Sequence, residues 1–284
     1  MINTVYRLVA PRRFEIAFED INLFGENAIV RPTYLSICNA DMRYYLGTRD
    51  AKVLAEKLPM ALIHEGVGEV FLDPTGTFKT GDKVVMVPNA PVEKDEFIAE
   101  NYLRSSKFCG SSMDGFLQEF VEISPKRLVK LPDDIDMTVA AFTEIVSVSV
   151  HAISRFDKIA HARRNTISVW GDGNLGYITS LFLKYHFPKS KIVVFGTSSD
   201  KLADFTFADE THLVNEVPDG FTTDHAFECV GGNGSPIAIE QIIGLIKPEG
   251  TISILGVSEY PVPINTRMIL EKGLRVFGSS RSGV

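Results

Sequence analysis

Apolar and polar positions alternate in short runs over the first half of the chain. The runs at 14–18, 28–37, 83–87, 116–123 and 128–131 are rich in strand formers and bounded by Gly, Pro or Asp. Alternation at period two puts one set of side chains on a core face and the other in water, so each run predicts a strand. Strands this short and frequent predict a β-rich, barrel-like domain. The period lengthens at 136–156, where Ala140, Ala141, Ile145, Val148 and Ala152 share one helical face. A helix is expected to lead from that domain into a second.

In the second half, an apolar run at 165–169 is followed by Trp170-Gly171-Asp172-Gly173-Asn174-Leu175-Gly176 and then by helical spacing at 177–185. Strand, glycine turn and helix in that order give a G-x-G-x-x-G pattern its meaning. Gly171 lets the backbone turn, Gly173 lets it approach a pyrophosphate, and Gly176 lets helix and strand pack closely, with the phosphates at the positive end of the helix. Gly171, Gly173, Asn174, Leu175 and Gly176 are therefore candidate cofactor contacts. Strands at 191–195, 212–214, 225–229, 251–255 and 274–277, with a helix at 235–246, suit a doubly wound parallel sheet. A nicotinamide cofactor is expected.

The residue after the second strand bears on which nicotinamide. An NAD-specific fold places Asp or Glu there to hold the ribose hydroxyls, and this chain has Gly196 followed by Thr197-Ser198-Ser199-Asp200-Lys201. With no strand-end acid, and with the Thr197 and Ser198 hydroxyls and Lys201 available to a 2′-phosphate, NADPH is expected over NADH. The same residues also suit the cap of the next helix.

Composition narrows the function classes. A hydrophobic fraction of 45% and a charged fraction of 23% in 284 residues are those of a globular protein large enough for two cores. The net charge of -7, with no basic run, argues against a nucleic-acid surface. No signal-peptide pattern and no run of membrane-spanning length occur, and the cysteines, Cys38, Cys109 and Cys229, are odd in number and widely spaced. Reduced thiols in a cytoplasmic protein, with no membrane partner, are expected.

Three places in the first domain carry metal-ligand chemistry. Cys38 ends a strand, His64 and Glu65 follow Leu62-Ile63, and Glu144 interrupts an apolar stretch. Taken singly, each suits a core thiol, a loop pair and a helix-terminal charge. Taken together, a thiolate, an imidazole and a carboxylate supply three zinc ligands and leave a fourth position open to substrate.

These residues resemble the medium-chain, zinc-dependent alcohol and polyol dehydrogenases. The resemblance runs through Cys38 with Asp41, the His64-Glu65-x-x-Gly68 element, Gly81-Asp82-Lys83-Val84, Glu144 and the glycine motif. The runs from His64 to Val70, Trp170 to Ile178, His225 to Gly232 and Phe277 to Gly283 are similar to the ribitol-5-phosphate dehydrogenases, or ribulose-5-phosphate reductases, of teichoic-acid and capsule synthesis. The resemblance implies an α/β protein with a GroES-like β-rich catalytic domain at 1–146 and a Rossmann doubly wound parallel sheet at 147–284. It implies Cys38, His64 and Glu144 as zinc ligands, Glu65 as a conditional ligand, and Asp41 as the carboxylate that orients the ligand histidine. Gly231 and the Gly256-Val257-Ser258 turn would line the nicotinamide, and Arg281 would lie near cofactor or substrate.

The implied reaction is NADPH-dependent reduction of D-ribulose 5-phosphate to D-ribitol 5-phosphate. Arg43 is the first candidate for the substrate phosphate, with Arg104, Lys107 and Arg281 behind it. A homodimer or larger assembly is implied, and the pathway implies coupling to a ribitol-5-phosphate cytidylyltransferase. Ala40 stands where many relatives begin a proton relay with Ser or Thr, so water or a substrate hydroxyl is expected to replace it. The four-cysteine lobe is missing, since 91–113 holds only Cys109, and no structural zinc is expected. Members of the resembled family continue past the Arg281-Ser282-Gly283 element, so the completion of the catalytic domain is expected to be absent from a chain ending at Val284. Two other readings stay open: an NAD(H)-linked zinc dehydrogenase of an unphosphorylated polyol, and a non-catalytic NADPH-binding protein.

Overall fold

Strand alternation in the first unit produces a set of small antiparallel sheets. In chain order its elements are β1 (Ile2–Ala10), β2 (Arg13–Asp20), β3 (Ala28–Ser36), α1 (Asn39–Leu46), α2 (Ala51–Lys57), β4 (Met60–Ala61), β5 (Glu65–Leu72), β6 (Lys83–Met86), β7 (Asn89–Ala90), β8 (Lys107–Phe108), β9 (Val121–Ile123), β10 (Leu128–Lys130) and α3 (Met137–Ala140). The computed structural model describes residues 1–282, so Gly283 and the expectation attached to Val284 lie outside the described residues. Two units divide the described residues, Met1–Glu144 together with Ser282, and Ile145–Arg281. In the first, five strands run in the order β10-β6-β5-β3-β9, and β2-β1-β4 and β7-β8 form separate sheets. Leu8, Val30, Tyr44, Met86 and Phe116 lie in its core. β3 and β5 approach closely because β5 carries Gly68, where a Cβ would stand 2.4 Å from the Arg31 carbonyl oxygen.

Two sequence expectations change here. The strand expected at 116–123 shortens to β9, because Gly115, Phe116 and Leu117 donate instead to the Ala61, Ile63 and Leu62 carbonyls. The single helix expected at 136–156 becomes α3 and α4 (Thr143–Ile159). At the break, the Thr143 hydroxyl donates to the Ala140 carbonyl at 2.6 Å, taking up an acceptor that a continuous helix would use.

The second unit contains most of α4, then β11 (Thr166–Trp170), α5 (Asn174–His186), β12 (Lys191–Gly196), α6 (Ser199–Leu202), β13 (Glu210–Leu213), β14 (Thr223–Glu228), α7 (Ser235–Leu245), β15 (Ile246–Ile254), α8 (Thr266–Lys272) and β16 (Arg275–Gly278). The strands are parallel neighbours in the order β13-β12-β11-β14-β15-β16. Successive residues of β11 serve different cores. Ile167 and Val169 pack with Phe156 and Leu183, while Trp170 packs with Phe195, Ile242 and Ile252. A sheet buried on both faces reads as continuous apolar runs rather than as alternation. Strand order reverses between β11 and β14, and that switch point is where such sheets bind ligands.

At the other end of the same strands, β14 buries Asp224 and His225 completely. Asp224 accepts the Asn165 and Thr166 N–H groups at 2.9 and 3.1 Å, and binds Arg163 and Lys247 at 2.9 and 3.0 Å. His225 Nδ1 accepts from the Thr251 N–H at 3.1 Å, so Nε2 carries the proton and donates to the Arg163 carbonyl at 3.1 Å. A second ring proton would meet a donor. Burial and the neighbouring His161 accordingly push His225 down to about 4. An unfolded histidine titrates near 6.5, so between those values the unfolded chain takes up a proton that the folded chain refuses, and stability falls as pH falls. From about pH 7 to about pH 5 a loss of about 1–2 kcal/mol is expected. Urea midpoints at the two pH values would measure it, and His225→Gln should flatten the dependence.

Candidate active site

Cys38 follows β3 and caps α1, with Asp41 in the helix's first turn. The Asp41 carboxylate, 2% exposed, turns back on two segments at once. Oδ2 accepts the Cys38 N–H at 2.9 Å and Oδ1 accepts the Ile63 N–H at 3.0 Å. One buried acid therefore ties the chain carrying Cys38 to the chain carrying His64.

Ile63 has φ +73°, a region in which a β-branched side chain is strained by about 1–3 kcal/mol. Asp41 holds its N–H, and the Phe116 N–H holds its carbonyl at 2.7 Å. Gly115 packs so closely that a Cβ there would stand 2.2 Å from the same carbonyl oxygen. The bend brings His64 and Glu65, at the start of β5, against Cys38, with all three ligand-type atoms within 4.8 Å of one another. The His64 ring lies on Phe108, with centroids 5.3 Å apart.

The sulfur, nitrogen and oxygen donors are those zinc takes. Burial pushes the Cys38 thiol up to about 12, and the negative charges of Glu65, Asp41 and Glu144 push the same way. Burial also raises Glu65. A divalent cation reverses that balance, favouring thiolate and carboxylate together, so the donor set fits one.

Glu144 lies in the first turn of α4, half-buried. It is not a member of the compact trio, and acts on Cys38 through its charge. The Asp41 Oδ1 to His64 Nδ1 distance is 3.7 Å, longer than a hydrogen bond. Asp41 thus positions the backbone of both ligand segments rather than holding the imidazole directly. Arg43 lies on α1, partly buried, while Arg104 and Lys107 are exposed.

In the second unit the glycine loop sits at the switch point. Gly171 has φ +129°, and a Cβ there would stand 2.9 Å from the Cys229 carbonyl; one on Gly176 would stand 1.9 Å from the Gly171 oxygen. Nothing lies within 4 Å of a Cβ built on Gly173, so the backbone there is open to a ligand. Asn174 and Leu175 begin α5, whose unpaired N–H groups suit a pyrophosphate.

The end of β12 carries Gly196 and no acid of its own, as expected, but Asp172 of the glycine loop brings a carboxylate to it. Its Oδ2 accepts the Thr197 and Ser198 N–H groups at 2.7 and 2.8 Å and the Thr197 hydroxyl at 3.2 Å. Ser198 caps α6 by accepting the Lys201 N–H at 3.4 Å; Thr197 and Lys201 are exposed.

A second missed acid, Glu228, is fully buried at the end of β14. Oε1 accepts the Val230 and Gly231 N–H groups at 3.0 and 2.8 Å, and Oε2 accepts the Gly256 N–H at 3.2 Å. Gly231, at φ +65°, would meet the Val257 nitrogen at 2.7 Å if it carried a Cβ. The Gly232 N–H donates to the Val257 carbonyl at 3.0 Å. Val257 itself is 57% exposed, and Arg281 ends the unit at φ +57°. Glu228 closes the strand run Ala226-Phe227-Glu228, a charge directly after two buried apolar residues, whereas Asp172 occupies a variable position of the glycine motif.

A GroES-like sheet domain with a Cys-His-Glu cluster, together with a six-stranded parallel sheet whose glycine loop lies at the switch point, defines a medium-chain dehydrogenase of the zinc type. Comparison with known proteins refines this. The family profile of the alcohol dehydrogenase GroES-like domain matches residues 25–133. The chain is 58% identical over 283 residues to ribulose-5-phosphate reductase 1 of Staphylococcus aureus, covering 100% of this chain and 83% of that protein. Identity to the ribulose-5-phosphate reductase of Bacillus spizizenii is 56%, with the same coverage of 100% and 83%. Its fold is similar to the crystal structure of S. aureus TarJ in complex with NADPH, with a TM-score of 0.87, 52% identity, and coverage of 100% of this chain and 82% of that one. The chain belongs to the ribulose-5-phosphate reductases of the medium-chain, zinc-dependent dehydrogenase family. Among the described residues no helix is long and apolar enough to cross a membrane.

Proposed function

We propose that the protein reduces D-ribulose 5-phosphate to D-ribitol 5-phosphate with NADPH and a catalytic zinc. The product would supply CDP-ribitol for teichoic acid or capsule. The observation that carries this reading is the compact Cys38-His64-Glu65 cluster, with His64 and Glu65 buried and Cys38 partly so, in a chain 58% identical to a ribulose-5-phosphate reductase across its whole length. The catalytic domain is 1–146 and the dinucleotide-binding domain is 147–284.

Cys38 and His64 hold the metal, with carboxylate donors from Glu65 and Glu144. Zinc, when bound, supplies a Lewis acid for the ketone oxygen. Asp41 fixes the segments that present the donors, and Arg43 receives the substrate phosphate as a charge-assisted partner. Gly171, Gly173 and Gly176 shape the loop that receives the pyrophosphate, with Asn174 and Leu175 at the helix end. Thr197, Ser198 and Lys201 face the 2′-phosphate, Gly231 and Val257 line the nicotinamide, and Arg281 lies near the cofactor. With Ala40 in place of a hydroxyl residue, water or a substrate hydroxyl carries the proton. The reading includes a cytoplasmic homodimer working beside a ribitol-5-phosphate cytidylyltransferase.

The test is the initial rate of NADPH oxidation with D-ribulose 5-phosphate and with D-ribulose at equal concentration. Turnover confined to the phosphate is expected, and equal rates would overturn the substrate assignment. Metal analysis tests the site independently: Cys38→Ser is expected to lower zinc affinity by at least about tenfold, since a hydroxyl is a poor replacement for thiolate. Full zinc retention in that variant would exclude Cys38 as a ligand.

A further inference from the structure

The place left vacant by Gly196 is filled from another direction. A Cβ on Gly196 would stand 2.7 Å from the Asp172 Cβ and 2.8 Å from Oδ2. The carboxylate of the glycine loop therefore occupies the space that a strand-end acid would use, and glycine at 196 leaves it room. Its Oδ2 engages the Thr197 N–H, the Ser198 N–H and the Thr197 hydroxyl. These are donors that a 2′-phosphate would otherwise draw on. Burial works against the charge, yet the N–H groups of Thr197 and Ser198 hold the carboxylate below the usual range, so it is ionised at working pH.

We infer that Asp172 determines selectivity at the adenosine end of the cofactor, supplying from the glycine loop the carboxylate that the end of β12 lacks. The inference rests on the NADPH reading of this site. A carboxylate accepts hydrogen bonds from a ribose diol and repels a 2′-phosphate, while Lys201 and the hydroxyls of Thr197 and Ser198 attract the phosphate. The two sets oppose one another. NADPH is preferred by a moderate margin, and NADH is a usable second reductant.

Asp172→Asn removes the charge and keeps an oxygen able to accept from the turn. Calorimetric titration of wild-type and variant protein with adenosine 2′-phosphate and adenosine 5′-phosphate reads the effect without turnover, and kcat/KM for NADPH and NADH reads it in the holoenzyme. The ratio favouring the 2′-phosphate ligand, and that favouring NADPH, are each expected to rise about tenfold, the change produced by one modest like-charge repulsion. Asp172→Ser, which also shortens the side chain, is expected to shift both ratios in the same direction. Parallel weakening of both nucleotides, with ratios unchanged, would overturn the inference and leave Asp172 as a brace for the turn. Wild-type protein that binds neither dinucleotide would overturn the NADPH reading itself, visibly separate from a shift in ratio.

Discussion

Asp41→Ala is expected to lower zinc affinity by about 10–100-fold or more, the range for losing a group that positions metal ligands, and to cost about 3–6 kcal/mol of stability. The substitution removes both hydrogen bonds that join the Cys38 and His64 segments. The stability figure follows from about 1.5–3 kcal/mol for each bond to a charged acceptor, with the freed N–H groups left in a largely buried setting. Ile63 would then lose one of the contacts that hold it at φ +73°, and relaxation of that residue would swing His64 and Glu65 away from Cys38. Competitive zinc titration and urea unfolding measure the two consequences. Asp41→Asn keeps one acceptor oxygen and should fall between wild type and alanine. Unchanged zinc affinity in the alanine variant would show that the two segments hold their geometry without it.

A comparable effect is expected at the cofactor end from Glu228→Ala. This side chain accepts from Val230, Gly231 and Gly256, and its removal strands the Val230 and Gly231 donors on the loop that follows β14, while the Gly256 N–H, on the loop after β15, keeps the Glu228 backbone carbonyl at 3.0 Å. About 3–5 kcal/mol of stability should be lost, since each stranded buried donor costs about 1–3 kcal/mol and partial relaxation recovers some of it. Gly231 and Val257 meet through those loops, so NADPH affinity is expected to fall at least about tenfold through lost pre-organisation. Glu228→Gln is informative because its amide N–H2 must face at least one backbone donor. Thermal unfolding and quenching of protein fluorescence by NADPH would measure both effects. An affinity unchanged within the error of the titration would separate Glu228 from cofactor binding.

The second unit was largely legible in the sequence because its central strands β11, β12, β14 and β15 are buried on both faces. The unit's apolar runs and intervening glycines fall close to β11, β12, β14, β15 and β16, with boundaries displaced by a few residues. The first unit was less so. β1, with Thr4, Arg7 and Asn3 among its apolar residues, and β5, which begins with Glu65-Gly66 directly after His64, do not alternate cleanly, and neither was expected. α1 is only eight residues long, too short to show a helical period, and is held by its Cys38-Asp41 cap and by Tyr44 and Tyr45 against the core.

The metal-ligand residue types were legible, but their approach was not. Cys38 and His64 are joined by Asp41 through backbone N–H groups, and by a left-handed Ile63 that no periodicity announces. The same limitation concealed Asp172. Gly196 correctly signalled a missing side chain, but the carboxylate that fills its place comes from a residue earlier in the chain and is visible only in three dimensions.

Transfer of deuteride from NADPH labelled at the reactive nicotinamide carbon tests the central claim most directly. The zinc-loaded protein is given D-ribulose 5-phosphate, and the product is isolated for mass and magnetic-resonance analysis. The account predicts D-ribitol 5-phosphate carrying one deuterium on the former ketone carbon, with no labelled product from D-ribulose and none after chelation of the metal. Labelled ribitol from the unphosphorylated sugar at an equal rate, or undiminished transfer after the metal is removed, would contradict it.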